Sequence, residues 1–392
     1  MKLVQFGAGN IGRSFIGQLF NRAGWDVVFI DVNYTLVELI NTKRFYNVII
    51  KQEGQCDEVR HIGPVRALHI EQQNVINEEL ASADLIATSV GKGALTTIIP
   101  IIAKGLQVRY KNKPDWPLDI IIAENAPGAS TLFREILIRE LGTLYPLEEL
   151  VGLVETSIGK MVPIMRSEDL VHDPLQLFAE AYETLILDKK AIKQNIQWPQ
   201  SIELVDNISA FVARKLYIHN LGHASVAYTS FALHPEIIYI ADAVRIDHVR
   251  ERALTAMKES MEGLLAEFSN TFTRKDLEIH IQDLLYRFEN RALGDTIYRV
   301  GRDLYRKLDK EDRLVGAMRL CAKHKLPYGT ITQVYHSALQ FSATDETGKP
   351  YPPDEEFRKK LSHQGVDYVL QFVSHLDPTD PIDQDVITRI KQ

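Results

Sequence analysis

Four polar residues stand close together in Lys215-Leu-Tyr-Ile-His219-Asn220-Leu-Gly-His223, inside a stretch with helical spacing. At about 100° per residue, His219, His223 and Asn220 fall at about 40°, 80° and 140° from Lys215. All four therefore project into one third to one half of an α-helix surface. Hydride transfer from an alcohol needs a base for the hydroxyl proton and donors for the developing alkoxide. A partly buried lysine with a lowered pKa can be that base. An asparagine amide and a histidine N–H can hold the oxygen. The bland alternative is a solvated polar face, but Ala210, Phe211, Val212, Leu216 and Ile218 make this helix apolar around its polar stripe. His219 and His223 also have the i, i+4 spacing of a metal pair. No glutamate accompanies them in the HExxH manner, so one functional histidine beside a bystander is the simpler reading.

A second constellation is Arg299-Val-Gly-Arg302-Asp-Leu-Tyr-Arg306-Lys307. On one helix, Arg302, Arg306 and Lys307 would lie at about −60°, −20° and 80° from Arg299, with Lys310 at about 20°. Such a face could clamp an anion, for instance a phosphate monoester. The competing reading is an exposed basic stripe neutralised by Asp295, Asp303 and Asp309.

Chemistry of this kind needs a hydride carrier, and the first residues provide for one. A short apolar run, Leu3 to Phe6, enters Gly7-Ala8-Gly9-Asn10-Ile11-Gly12. A helical pattern follows (Phe15, Ile16, Leu19, Phe20), then a second apolar run, Val27 to Ile30, ending at Asp31. Gly7 permits the tight turn, Gly9 lets a pyrophosphate approach the backbone, and Gly12 lets helix and sheet sit close. The helix start offers N–H groups and a positive dipole end to the phosphates. Asp31 lies 19 residues after Gly12, where a carboxylate accepts from adenosine ribose hydroxyls. It would repel a 2′-phosphate, and Val32-Asn33-Tyr34 brings no arginine to hold one, so the expected cofactor is NAD rather than NADP.

The rest of the N-terminal half supplies the frame. Asp84 to Gly91 and Asp119 to Asn125 read as short buried strands, and Leu150 to Val154 as another. Such strands separated by helices predict a Rossmann-type, doubly wound parallel sheet, with ligands beyond the strands' carboxyl ends, where Gly91 and Asn125 fall. From about residue 200 helical spacing dominates, as in Ile202–Phe231, Arg250–Phe268 and Leu277–Lys307. The expectation is an α/β NAD-binding domain over 1–195 and a mainly α-helical substrate and catalytic domain over 196–392. At 392 residues and 45% hydrophobic composition, two or three domains are affordable. The net charge of −7 has no basic tail, which argues against nucleic acid as a partner. No apolar run approaches membrane-spanning length, the first strand begins too early for a signal peptide, and two cysteines make no disulfide framework. A cytoplasmic enzyme, monomeric or homodimeric, is expected.

On these motifs the chain resembles the long-chain polyol (mannitol) dehydrogenase family. The resemblance runs over nearly the whole chain. Its most specific pieces are Phe6-Gly-Ala-Gly-Asn-Ile-Gly-Arg13, the Lys-x4-Asn-x2-His pattern at Lys215, Asn220 and His223, Arg287-Phe288-Glu289-Asn290, and Arg299 through Lys307. The resemblance implies a metal-independent reaction with Lys215 as general base. It implies that Asn220 and Asn125 together hold the oxyanion and that His223 orients the substrate oxygen. Arg299 and Lys307 would line the substrate site. Arg302 and Arg306 as phosphate ligands follow from the charge geometry alone. One departure stands out. The family carries Val-Asp-Arg-Ile-Val-Pro where this chain reads Ile158-Gly159-Lys160-Met161-Val162-Pro163. Gly159 cannot make the sugar contact of that aspartate. Lys160 keeps the charge of the arginine, as a candidate substrate contact, but not its fork. The implied reaction interconverts a hexitol phosphate and a ketose phosphate, mannitol 1-phosphate and fructose 6-phosphate. The alternatives are an unphosphorylated polyol or a hexuronate, and, outside enzymes, a non-catalytic NAD sensor.

Overall fold

The computed structural model describes residues 1–124, 128–163, 165 and 167–392. The chain divides into two compact units, Met1–Ile208 and Ser209–Gln392. The sequence places the division at 195/196. The strand at 202–205, which periodicity assigns to a helix, pairs with the strand before it and belongs to the first unit.

Among the described residues the first unit has eleven strands: β1 Lys2–Phe6, β2 Asp26–Asp31, β3 Tyr46–Ile50, β4 Glu58–Ile62, β5 Val65–His69, β6 Leu85–Thr88, β7 Leu118–Ile122, β8 Val151–Ile158, β9 Leu177–Ala179, β10 Leu185–Asp188 and β11 Ile202–Val205. Eight form one sheet in the order β11-β10-β8-β7-β6-β1-β2-β5. From β5 through β8 every pairing is parallel, and β10 joins β8 antiparallel. This is the expected Rossmann-type parallel sheet, with β10 and β11 added at one edge. The central strands read as mostly apolar runs, broken by Gln5, Thr88 and Asp119, because both faces are covered. Leu3, Val27, Phe29, Leu85 and Ile121 enter one hydrophobic cluster. Their neighbours Val4, Val28, Ile30, Ile86 and Ile120 enter another. A small sheet, β4-β3-β9, extends the first of these layers.

The second unit is mainly helical. Its helix Leu221–Leu233 is almost wholly buried, and helices Asp247–Glu267 and Gly329–Leu339 lie against it. No described helix is long and apolar enough to cross a membrane. Two local geometries depart from the sequence reading. Lys215–Asn220 is a π-helical turn rather than α-helix. The basic stretch after Arg299 is not one helix: Ile297–Gly301 ends, Asp303 takes a left-handed φ of 75°, and a new short helix runs over Leu304–Lys307. Asp354 holds this break, its carboxylate accepting from the Asp303 and Leu304 amides at 2.9 and 2.8 Å.

Candidate active site

In the first unit the glycine turn has the shape that a dinucleotide demands. Gly7 has φ of 89°, which a side chain resists. A Cβ on Gly12 would lie 1.9 Å from the Gly7 carbonyl oxygen, so helix and turn touch there. At Gly9 a Cβ would meet nothing within 4 Å: the space in front of it is open. A helical turn starts at Asn10 and runs on into the π-helical Gly12–Gly17, with the Arg13 amide donating to the Gly9 carbonyl at 3.0 Å; the amides before it are the orphan donors of any helix start. Arg13, buried, fastens the turn from behind. Its Nε donates to the Ala8 carbonyl at 2.6 Å and an Nη to the Leu175 carbonyl at 2.7 Å. The residues present thus fit a pyrophosphate, with Gly7, Ala8, Gly9, Asn10, Ile11 and Gly12 as the cradle.

Asp31 sits at the carboxyl end of β2. One carboxylate oxygen accepts from the Ala8 amide at 2.7 Å and the other from the Asn33 amide at 2.9 Å. Each oxygen has a further lone pair for a ribose hydroxyl. Asp31 therefore shapes the turn and remains able to receive a ligand. Gly91 has φ of 84° after β6, and its amide donates to Glu124 at 2.9 Å, as the Val90 amide does at 2.8 Å. Sequence reading missed Glu124 as a site residue, though it stands two residues after the buried strand β7. Asn125 lies outside the described residues. Lys160 is buried, its Nζ donating to the Tyr182 carbonyl at 2.9 Å and lying 5.4 Å from the Phe15 ring centre.

In the second unit the π turn changes the geometry of the lysine stretch. Its i→i+5 bonding sets residues five apart nearly above one another, so Lys215 and Asn220 share a side that α-helical spacing would have separated by about 140°. Such turns recur at functional sites. Burial pushes the Lys215 ammonium down to about 8, and the Arg313 and Arg306 guanidiniums add to it, while Asp312 opposes. His223 is driven down to about 4 by burial, against the pull of Asp295. Its Nε2 is buried with no hydrogen-bond partner among the described residues, and the nearest Asp295 oxygen is 3.7 Å away. A neutral imidazole with an unsatisfied nitrogen is poised for a hydroxyl or carbonyl oxygen. His219 is buried too, its pKa lowered by burial and then by Arg287 and His223. The rings of His219 and His223 are 6.4 Å apart, and Phe288 stacks on His223.

The basic stretch is distributed rather than aligned. Arg299 is ion-paired with Asp295. Arg306 donates to Asp303 at 2.6 Å and to Asp312 at 3.2 Å. Lys307 is buried, its Nζ donating to the Val300 and Arg302 carbonyls at the end of the preceding helix. Arg302 faces the Tyr298 and Tyr351 rings, 5.4 Å from each centre. The expectation of one continuous cationic helix face is thus corrected. The break at Asp303 divides it, and carboxylates or carbonyls engage three of its four cations. Arg313 and Asp312, joined at 2.7 Å, are electrostatic neighbours of Lys215 that the sequence reading overlooked.

A glycine-turn dinucleotide fold and a helical unit carrying a lysine of lowered pKa are parts that a dehydrogenase requires. Residues 1–200 match the mannitol dehydrogenase Rossmann domain, and residues 207–389 match the mannitol dehydrogenase C-terminal domain. The chain belongs to the mannitol dehydrogenase family and is an enzyme of the polyol dehydrogenase class. Solved structures share the fold. The Pseudomonas fluorescens mannitol 2-dehydrogenase, solved as a ternary complex with NAD and D-mannitol, is 15% identical with a TM-score of 0.74, covering 100% of this chain and 91% of its own. A D-sorbitol dehydrogenase in substrate-free form is 16% identical with a TM-score of 0.75, covering 99% and 92%. A ketopantoate reductase from Ralstonia eutropha JMP134 is more distant, 14% identical with a TM-score of 0.51, covering 86% and 97%.

Proposed function

We propose that the protein is an NAD-dependent polyol dehydrogenase in which Lys215 is the general acid and base. The observation that carries this is the lysine itself: half-buried, lowered to about 8, and on one π turn with Asn220, one turn before His223. Bound NAD, held by residues 7–12 and Asp31, supplies the acceptor for the substrate's hydride. In the oxidation direction neutral Lys215 takes the hydroxyl proton. Asn220 donates to the oxygen as negative charge develops on it. His223, neutral at pH 7, orients that oxygen through its unsatisfied Nε2. In the reverse direction the Lys215 ammonium returns the proton to the new alkoxide.

For the substrate we favour mannitol 1-phosphate and fructose 6-phosphate, a mannitol-1-phosphate 5-dehydrogenase activity. The supporting observation is the concentration of Arg302, Arg306, Lys307 and Arg313 within one short stretch of chain, two of which, Arg306 and Arg313, act on Lys215. A second reading, an unphosphorylated polyol or a hexuronate, draws on a specific observation too. Arg299 and Arg306 already hold carboxylates, and Lys307 and Lys160 hold carbonyls, so these four meet a substrate only by exchanging partners. We place the reaction in the cytoplasm, in keeping with two free cysteines, Cys56 and Cys321. The deciding experiment is NADH oxidation with fructose 6-phosphate, fructose, tagaturonate and fructuronate side by side. Highest kcat/KM on fructose 6-phosphate is expected. A higher value on fructose or a hexuronate selects the second reading. NADH binding with no turnover of any ketose would return the sensor alternative.

A further inference from the structure

Beside Asp31 the structure builds a second negative feature that the glycine-turn motif does not include. Asp31, the last residue of β2, is in register with His69, the last residue of β5. His69 is buried, and its Nδ1 accepts from the Glu71 amide at 3.4 Å. Its Nε2 therefore carries the proton and donates to the Val32 carbonyl at 2.9 Å. The Tyr34 ring lies flat on the His69 ring, with centres 3.4 Å apart and planes 14° apart. The Tyr34 hydroxyl then donates to the Glu71 carboxylate. Glu71 is thus held by backbone and side chain beside the loop that follows Asp31, although 72% of its side chain is exposed. The carboxyl ends of β2 and β5 are where the adenosine ribose is expected in a fold of this kind.

We propose that Glu71, held by Tyr34 over His69, is a second determinant of cofactor choice, adding its charge to that of Asp31 against a 2′-phosphate. The inference rests on the NAD reading above. It makes Tyr34 and His69 positioning residues and Glu71 an electrostatic one. A dianionic phosphate several ångströms from one carboxylate in high dielectric is disfavoured by about fivefold in binding, and salt weakens the effect. Asp31 therefore does not carry the discrimination alone, and exchanging it alone leaves part of the preference in place.

The test is direct binding of NADH and NADPH by nicotinamide fluorescence, which needs no knowledge of the sugar. Wild type, Glu71→Gln, Asp31→Ser, the double variant and a control, Glu78→Gln on the exposed face of helix Gln73–Ala81, are compared. Glu71→Gln is expected to lower the NADPH-to-NADH Kd ratio about fivefold, and by the same factor in the Asp31→Ser background, with the NADH Kd unchanged. The effect should shrink at high salt, and Glu78→Gln should leave the ratio at the wild-type value. A ratio within twofold of wild type in Glu71→Gln, or an equal change in Glu78→Gln, overturns the inference. Failure of wild type to bind NADH, or equal binding of both cofactors, overturns instead the NAD reading on which it stands.

Discussion

The His223 imidazole lies flat on the Phe288 ring, with centres 4.7 Å apart and planes 9° apart. The contact fixes the plane of a neutral ring whose Nε2 is otherwise unsatisfied. Orientation by stacking costs no hydrogen bond, so it leaves the Nε2 of His223 unengaged among the described residues.

Phe288→Leu keeps much of the buried volume and removes the flat partner. The variant should fold, at a cost of about 1–2 kcal/mol in stability. It should lose about tenfold in kcat/KM for the polyol, the scale of a misaligned contact, while the NADH Kd stays unchanged. Steady-state kinetics with a binding titration check this. Unchanged kcat/KM would remove His223 from the reacting oxygen.

Lys215 yields a prediction with opposite signs in the two directions. Oxidation needs the neutral amine, so its kcat/KM should rise with pH through about 8 and level off above. Ketose reduction needs the ammonium and should fall through the same value. Lys215→Met should lose about 10²–10⁴-fold in either direction and flatten both limbs. Stability moves the other way. The folded lysine titrates near 8 and the unfolded one near 10.5, so the native state binds fewer protons between those values. The cost of burying the ammonium is full below about 8 and disappears above about 10.5. Lys215→Met should therefore melt higher than wild type at pH 7, by a margin that shrinks as pH rises above 8. Thermal melts across that window test it.

The glycine turn separates folding from binding. Gly12→Ala drives a Cβ into the Gly7 carbonyl, a backbone atom that cannot step aside, and should destabilise by about 1–3 kcal/mol or more. Gly9→Ala meets only open space and should melt within about 0.5 kcal/mol of wild type. The same methyl occupies the approach of a pyrophosphate, so the NADH Kd should rise about tenfold or more. Intact NADH affinity in Gly9→Ala would place the phosphates elsewhere.

These contrasts show what the chain discloses before folding. The parallel sheet was legible because β1, β2, β6 and β7 are mostly apolar runs, with Gln5, Thr88 and Asp119 as buried exceptions, and a sheet covered on both faces favours such runs. Lys215, Asn220 and His223 were legible as residue types in a pattern. Their geometry was not, because an i→i+5 turn leaves no trace in hydrophobic periodicity. The break at Asp303 was hidden for a related reason. It depends on the Asp354 carboxylate, 50 residues away from Leu304 in the chain. Arg313 and Glu71 stayed invisible because charged residues outside motifs look alike until neighbours are assigned.

The last prediction concerns the anion and uses the unequal engagement of the arginines. Arg302 faces two tyrosine rings and has no carboxylate within ion-pair distance among the described residues, so it can turn to a phosphate without breaking a pair. Arg306 must first leave Asp303 and Asp312. If the substrate is phosphorylated, Arg302→Ala should raise KM for fructose 6-phosphate about tenfold or more, since a charge-assisted bond is worth about 1.5–3 kcal/mol, and should hardly alter weak activity on fructose. Arg306→Ala should raise KM less. It should also move the Lys215 ionisation upward, because its guanidinium is one of the cations that hold that lysine down. Inorganic phosphate or sulfate at millimolar levels should compete with fructose 6-phosphate in wild type and lose potency in Arg302→Ala. Equal losses on fructose and fructose 6-phosphate in Arg302→Ala would make this arginine a structural prop. Better wild-type turnover of fructose or a hexuronate than of fructose 6-phosphate would remove the phosphate and leave the lysine chemistry as it stands.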